Sequence, residues 1–248
     1  PIKVEVDRIW HLACPASPNF YQANPIKTAK TSFLGTLNML GLAKRINSEI
    51  LLASTSEIYG DPEIHPQVED YKGSVNPIGI RSCYDEGKRI SESLCFDYHR
   101  THNTQIRVAR IFNTYGPRMA VNDGRVISNF IVQAILGKDL TIYGQGLQTR
   151  SFCFVDDLVD GLILLMESKF SGPMNLGNPN EYKIIELAEI IINKINPKLK
   201  IVNQNLPLDD PKKRQPSIKL ALEKINWSPK IELDEGIDRT IKYFRSIL

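Results

Sequence analysis

Short β-branched runs alternate along this chain with longer stretches whose apolar residues recur every three or four positions, a pattern that predicts strands and helices in turn. Asp7–Ala13 reads as a strand. Pro25–Ile46 reads as a helix, with Phe33, Leu37 and Leu40 along one side and Ala43 one face over. Ile50–Thr55 is nearly all apolar up to its hydroxyl-bearing end, as in a strand buried on both faces. Tyr84–His102 is the next helix and Gln105–Ile111 the next strand. That β-α-β-α-β order is half of a doubly wound parallel sheet.

Beyond Gly116-Pro117 the elements shorten. Val126–Leu136 predicts a helix with Ile127, Phe130, Ile131, Ala134 and Ile135 on its apolar side, and Gly137 supplies a left-handed stop. Leu140–Tyr143 is a strand and Gly144–Gly146 a turn. Asp156 and Asp157 are placed to cap a helix that runs to Glu167. Ile184–Ile195 is another helix, Ser217 caps one ending near Trp227, and Asp234 caps the last, with Ile237, Ile241 and Phe244 inward. The predicted class is α/β: a doubly wound, Rossmann-like parallel sheet with a smaller, interwoven α/β substrate lobe over its carboxyl edge. The expected division puts residues 1–118 and about 148–172 with the sheet, and 119–147 and 173–248 with the smaller lobe.

Composition narrows the partners. The 31 basic and 28 acidic side chains leave a net charge of +3, which argues against nucleic acid as a bulk partner. No apolar run reaches the ~20 residues of a membrane span, so no membrane contact is expected. Cys14, Cys83, Cys95 and Cys153 show neither C-x-x-C pairing nor histidines at zinc spacing. They read as reduced thiols of a protein in the cytoplasm or in another compartment that forces no disulfides, with no metal site.

The candidate chemistry begins at Tyr84 and Lys88. Four residues apart on a helix, they share a face. An ammonium near a phenol lowers its pKa from about 10 towards neutrality, which makes a general acid/base for a hydroxyl or a carbonyl. By itself Y-x-x-x-K also describes an ordinary surface pair. The strand Ile50–Thr55, however, runs into Ser54-Thr-Ser-Glu57, hydroxyls and a carboxylate at the strand end where such sheets bind ligands. His11 reads as a core or capping histidine, and His65, His99 and His102 take no role.

Ser54-Thr-Ser-Glu-Ile-Tyr-Gly60 followed by Tyr84-x-x-x-Lys88 resembles the extended short-chain dehydrogenase/reductase superfamily, in its sugar-nucleotide branch. His11-Leu-Ala-Cys-Pro-Ala-Ser-Pro18, Gly35-Thr-Leu-Asn-Met-Leu40, Arg110-Ile-Phe-Asn-Thr-Tyr-Gly-Pro-Arg118, Asn122-Asp-Gly-Arg125 and Asn175-Leu-Gly-Asn178 sharpen the likeness to the UDP-glucuronate decarboxylases, which make UDP-xylose. The resemblance runs from about residue 5 to the C-terminus. It implies NAD as a tightly held cofactor, a UDP-sugar substrate and a homodimer built on the helices Pro25–Ile46 and Tyr84–His102.

The resemblance also implies roles. Tyr84 takes the sugar 4-OH proton as hydride leaves C4 for NAD⁺. Lys88 lowers its pKa and binds the nicotinamide ribose, and Leu12 and Ala13 border the cofactor. Thr55 holds O4, with Ser56 and Glu57 near C5 and the departing carboxylate. Pro18 and Tyr21 match the segment near the glucuronate carboxylate. Arg214 suits the carboxylate or the diphosphate, and Arg150 the diphosphate, because a guanidinium donates two parallel hydrogen bonds. Asn113 would donate to the sugar or diphosphate, while Arg125 and the strand ending at Tyr143 lie on the nucleotide side.

One feature departs from the superfamily: none of the 15 glycines forms its G-x-x-G-x-x-G dinucleotide fingerprint. The expectation is therefore an N-terminally incomplete sheet and a functional polypeptide that extends further. Two other readings stay open. A dTDP-glucose 4,6-dehydratase or an epimerase would use the same Tyr84–Lys88 pair, but the dehydratase pattern has Asp where Ser56 stands. A non-catalytic sugar-nucleotide-binding remnant fits the missing fingerprint, yet not the retained Thr55, Glu57, Tyr84, Lys88 and Arg214.

Overall fold

The computed structural model describes residues 3–205 and 213–248; Lys212, in the basic run before Arg214, lies outside them. In chain order the first half holds β1 (Arg8–His11), α1 (Pro18–Ala23), α2 (Pro25–Ile46), β2 (Glu49–Thr55), a single 3-10 turn (Ser56–Tyr59), α3 (Ser82–His102) and β3 (Ile106–Ile111). The second half holds β4 (Thr114–Tyr115), α4 (Val126–Ile135), β5 (Leu140–Tyr143), β6 (Thr149–Ser151), β7 (Cys153–Phe154), α5 (Val155–Glu167), β8 (Pro173–Leu176), β9 (Glu181–Lys183), α6 (Ile184–Ile195), β10 (Ile201–Gln204), α7 (Lys219–Ile225) and α8 (Leu233–Ile247).

The main sheet has the order β1-β2-β3-β8 and is parallel throughout. Its central strands are covered on both faces, as their apolar runs require. On one face Ile50, Leu52, Ile106 and Val108 meet Leu40 and Ala43 of α2 and Cys95 of α3. On the other, Leu51, Ala109 and Met174 meet Leu158, Leu162 and Leu165 of α5, with Ala221 of α7 and Trp227. Strand β8 corrects the expected boundary: residues 173–176 belong to the main sheet and not to the smaller lobe. The smaller lobe pairs β5 with β10 and packs Phe130, Ile131, Leu187, Ile191, Ile237 and Phe244 of α4, α6 and α8 into a second core.

The buried stripe of α2 is Thr28, Ser32, Thr36, Leu40 and Ala43, while Phe33 and Leu34 lie exposed. Small hydroxyl residues let α3 approach closely: a Cβ on Gly87 would stand 3.0 Å from Ser32. Their polar atoms are spent locally, Thr36 Oγ1 on Ser91 Oγ at 3.1 Å and Ser91 Oγ on the Ser32 carbonyl at 2.9 Å. This brace sets the height of α3 over β2.

The predicted caps differ in detail. Phe154, Ile218 and Glu232 occupy the N-cap positions of α5, α7 and α8, and Asp156, Asp157 and Asp234 fall one position or more inside the first turns. There the acidic groups face the positive helix ends. Asp157 is also drawn away to accept the Ile231 amide at 2.9 Å. Among the described residues no helix is long and apolar enough to cross a membrane, no group of His, Cys, Asp and Glu could hold a metal ion, and all four cysteines are free.

Candidate active site

Strand β2 ends at Thr55, whose Oγ1 accepts the Glu57 amide at 3.2 Å and so caps the 3-10 turn. Gly60 closes that turn at φ +62, where a Cβ would stand 1.9 Å from the Ser74 carbonyl oxygen, so only glycine fits. The turn presents Glu57 to two guanidiniums. Arg81 Nη2, just before α3, donates to its Oε2 at 2.5 Å, and Arg214 Nη2 donates to the same oxygen at 3.2 Å. Arg214 is itself fully buried and donates from Nη1 to the Ser56 carbonyl.

Burial alone would raise the Glu57 carboxyl, but the charge of Arg214, then that of Arg81, outweighs it and holds the group down at about 2. Arg150 adds to the same pull. Glu57 is therefore held as an anion between Arg81 and Arg214.

Tyr84 and Lys88 both come to this place from α3, and both are buried. Lys88 Nζ donates to the Ala53 carbonyl at 2.7 Å and lies 5.9 Å from the centre of the Tyr84 ring. The sequence expectation that Lys88 lowers the phenol's pKa does not hold in the structure. Burial raises Tyr84 above its ordinary value, and the Thr55 side chain pulls it down only in part. Burial likewise lowers Lys88, so the two groups are desolvated together. Tyr21 of α1, 1 % exposed, stacks on Tyr84 with ring centroids 4.9 Å apart.

The structure thus gathers Thr55, Ser56, Glu57, Tyr84, Lys88, Tyr21 and Arg214, with Arg150 in electrostatic reach of Glu57. Arg150, on β6, also donates to the Thr149 carbonyl at 2.8 Å. The remaining expected residues join this group through no hydrogen bond or ion pair among the described residues. Pro18 opens α1, and Leu12 and Ala13 are exposed just past β1. Asn113 offers its backbone carbonyl to the Cys153 amide at 2.9 Å. Arg125 is paired with Asp123 at 2.6 and 2.8 Å, and Tyr143 ends β5 half-exposed. Among the described residues, no hydrogen bond or ion pair joins Arg125 or Tyr143 to the Glu57 cluster. His11 is a core residue bonded to Thr36 Oγ1 at 3.1 Å, lowered to about 4 by burial and then by the charge of Lys88.

Three groups of the site escaped the sequence reading. Arg81 and Asp85 flank Tyr84 with no spacing that marks them. The third is a buried network behind the helix: Arg110 Nη2 donates to Glu92 Oε2 at 2.8 Å, Ser54 Oγ to Glu92 Oε1 at 2.5 Å, Arg110 Nη1 to Tyr59 Oη at 3.0 Å, and Tyr59 Oη to Asn175 Oδ1 at 2.8 Å. A signal for it existed, since Tyr84, Lys88 and Glu92 repeat every four residues and share one helix face.

The profile of the GDP-mannose 4,6 dehydratase family matches residues 2–240. UDP-glucuronic acid decarboxylase 3 of Arabidopsis thaliana is 61 % identical over 99 % of this chain and 72 % of its own length. UDP-glucuronic acid decarboxylase 1 of Xenopus tropicalis is 55 % identical over 100 % of this chain and 59 % of its own length. Among solved structures, UDP-glucose 4-epimerase of Thermotoga maritima, with UDP-glucose, superposes with a TM-score of 0.91 at 26 % identity, covering 97 % of this chain and 78 % of that one. UDP-glucuronic acid 4-epimerase of Bacillus cereus, in complex with UDP-glucuronic acid and NAD, gives 0.87 at 25 % identity, covering 98 % and 76 %.

Proposed function

The chain belongs to the GDP-mannose 4,6 dehydratase family, among the UDP-glucuronic acid decarboxylases, and from that premise we propose that it converts UDP-glucuronate to UDP-xylose and CO₂ with NAD as a retained cofactor. One observation carries the reading. Beside Tyr84, the guanidiniums of Arg81 and of the buried Arg214 both bind the Glu57 carboxylate, with Arg150 in electrostatic reach. A gathering of guanidiniums suits a sugar that bears both a carboxylate and a diphosphate.

The residues at hand fit the distal half of a dinucleotide site. Lys88 donates one hydrogen bond to Ala53, and an ammonium has three donors, so it can also serve a ribose hydroxyl. Leu12 and Ala13, at the end of β1, border that place. When bound, NAD⁺ supplies the hydride acceptor at the sugar C4 and returns the hydride after decarboxylation.

The chain's own groups do the rest. Tyr84 takes the proton of the 4-OH and gives it back at the same oxygen, while Thr55 holds O4 and Lys88 keeps positive charge beside the phenol. A ketone at C4 turns the sugar into a β-keto acid, whose carbonyl receives the electron pair left as CO₂ departs; a proton taken up at C5 from solvent restores the ketone before it is reduced. Ser56 and Glu57 lie near C5, and Arg214 orients the carboxylate or the adjacent phosphate. Pro18 and Tyr21 close the sugar end, Asn113 serves the sugar or diphosphate, Arg150 the diphosphate, and Arg125 and Tyr143 the nucleotide. Ser56 in place of the dehydratase aspartate favours loss of CO₂ over loss of water.

The same reading includes a homodimer through α2 and α3, whose exposed Phe33, Leu34 and Ile90 leave an apolar face. Sedimentation equilibrium of Leu34→Glu should then give a monomer where the parent is a dimer. The four free cysteines suit a reducing compartment such as the cytoplasm. The deciding assay uses the full-length protein, NAD⁺ and UDP-glucuronate labelled in its carboxylate. Labelled CO₂ with UDP-xylose is the expected result. A 4-keto-6-deoxy sugar from a glucose nucleotide, with no CO₂ from UDP-glucuronate, would overturn it.

A further inference from the structure

Arg214 lies on the strap 213–218 that leads into α7, and its guanidinium reaches Glu57 and the Ser56 carbonyl of the 3-10 turn. The peptide unit that joins it to Gln215 is held at both ends. The Arg214 carbonyl accepts the Ser151 amide of β6 at 3.2 Å, and the Gln215 amide donates to Oε1 of Gln67 at 2.8 Å. A peptide unit is planar, so anchors at its two ends fix the plane and the direction in which the Arg214 side chain leaves the backbone.

Gln67 sits in the excursion between the 3-10 turn and α3 and is fully buried. Its backbone amide donates to the Gln215 carbonyl at 2.8 Å, and its carbonyl accepts the Ser217 amide at 2.8 Å and Asn175 Nδ2 at 3.0 Å. The far end of its side chain is spent too, with Nε2 donating to the Ile64 carbonyl at 2.9 Å and lying 3.4 Å from His65 Nδ1. Backbone pairing between the two segments is a single bridge, Gln67 to Pro216, and Pro216 has no amide to give. The Gln67 side-chain carbonyl therefore supplies, at Gln215, the acceptor that a longer ladder would have supplied.

We propose that Gln67 is a positioning residue: its buried side-chain carbonyl fixes the peptide unit that aims the Arg214 guanidinium at the substrate's anionic end. The identity of that anion rests on the decarboxylase reading, while the aim of the guanidinium rests on the hydrogen bonds alone. Ser56, Glu57 and Gln67 all belong to the one excursion between β2 and α3, which thus grips Arg214 by its side chain and by the peptide that follows it.

The test is a double-mutant cycle on equilibrium binding of UDP-glucuronate to the full-length protein. Gln67→Met removes the acceptor at similar length and should weaken binding on the order of tenfold, the upper range for one buried hydrogen bond. In the Arg214→Gln background the same change should cost less than about twofold, because there is no guanidinium left to aim. Gln67→Glu keeps an acceptor for the Gln215 amide and should restore most of the affinity. If Gln67→Met does not fold, Gln67→Asn, which withdraws the amide by one methylene, takes its place. Additive effects, or a loss in Gln67→Glu equal to that in Gln67→Met, would overturn the inference. Urea midpoints give a reading without ligand: Gln67→Met should lose more at pH 7 than at pH 3, since a displaced Arg214 no longer holds Glu57 as an ion. A loss equal at both values would mean that Gln67 only supports the fold. Should Arg214→Gln bind UDP-glucuronate as the parent does, the substrate role of Arg214 falls, and the urea comparison alone decides the positioning role. Neither measurement needs turnover, so a failure to release CO₂ counts against the decarboxylase reading and not against this one.

Discussion

Tyr21 and Tyr84 stack face to face, with ring centroids 4.9 Å apart and planes within 5°, so the candidate acid/base rests on an aromatic platform from a different helix. Stacked pairs contribute about 0.5–1.5 kcal/mol beyond their buried area. The Tyr21 hydroxyl, by contrast, is buried with no hydrogen-bond partner among the described residues. Tyr21→Phe should therefore unfold in urea at or slightly above the parent's midpoint and keep most of its turnover. Tyr21→Ala should lose about 3–5 kcal/mol and, with the platform gone, a large part of kcat.

The environment of Tyr84 makes a second prediction. Burial raises its pKa, so the ligand-free protein holds a neutral phenol throughout the physiological range. Ultraviolet titration of the ligand-free parent against Tyr84→Phe should show no phenolate difference up to pH 10. In turnover assays, Tyr84→Phe should cost at least the 10²–10⁴-fold that general acid–base catalysis supplies. Lys88→Met acts through the same group, so the double variant should be far from additive. Full activity in Tyr84→Phe would remove this residue from the mechanism.

The elements were legible where one period dominated. Pro25–Ile46 is helical over the predicted residues, and the hydrophobic run at Ile50 gave β2 to within one residue. Strand β8 was not legible, because Pro173-Met-Asn-Leu176 carries a proline and a buried asparagine and neither alternates nor runs apolar. The pairing Tyr84–Lys88 and the segment Thr55–Glu57 were visible as spacing and order. Arg81 was not, because its role depends on a long loop returning to Glu57. The direction of the Tyr84 shift also failed, since spacing along a helix reports proximity but says nothing of how deeply two groups are buried.

Behind that site, Glu92 and Arg110 predict a stability effect. Arg110 donates to Glu92 through Nε at 3.1 Å and through Nη2 at 2.8 Å, and both residues are buried. Glu92→Ala leaves a buried guanidinium uncompensated and frees Ser54 Oγ, which should cost about 3–5 kcal/mol in urea unfolding. Replacing both residues by apolar ones should cost less than Glu92→Ala alone, because no unpaired charge then remains. A double variant as unstable as the two single losses added together would show that the pair acts through packing instead.

Glu57 and Arg214 predict a dependence of stability on pH. The folded carboxyl sits at about 2 against an ordinary 4.5, so the unfolded chain binds the proton first as pH falls. The stability contributed by Glu57 is thus fully present above about 4.5 and is lost as pH falls towards 2. Arg214→Gln removes the largest charge holding the group down and leaves Arg81 as its ion-pair partner. At pH 7 this variant should be less stable than the parent by about 3 kcal/mol, the scale for breaking a buried pair. The difference should shrink as pH falls below 4.5 and be mostly lost only as pH approaches 2, because the variant's carboxyl takes up its proton at a higher pH than the parent's. Urea midpoints at pH 7, 4.5 and 3 measure it. A gap that stays constant across those three values would mean that Arg214 stabilises the fold by packing and by its bond to the Ser56 carbonyl, and not by charge on Glu57.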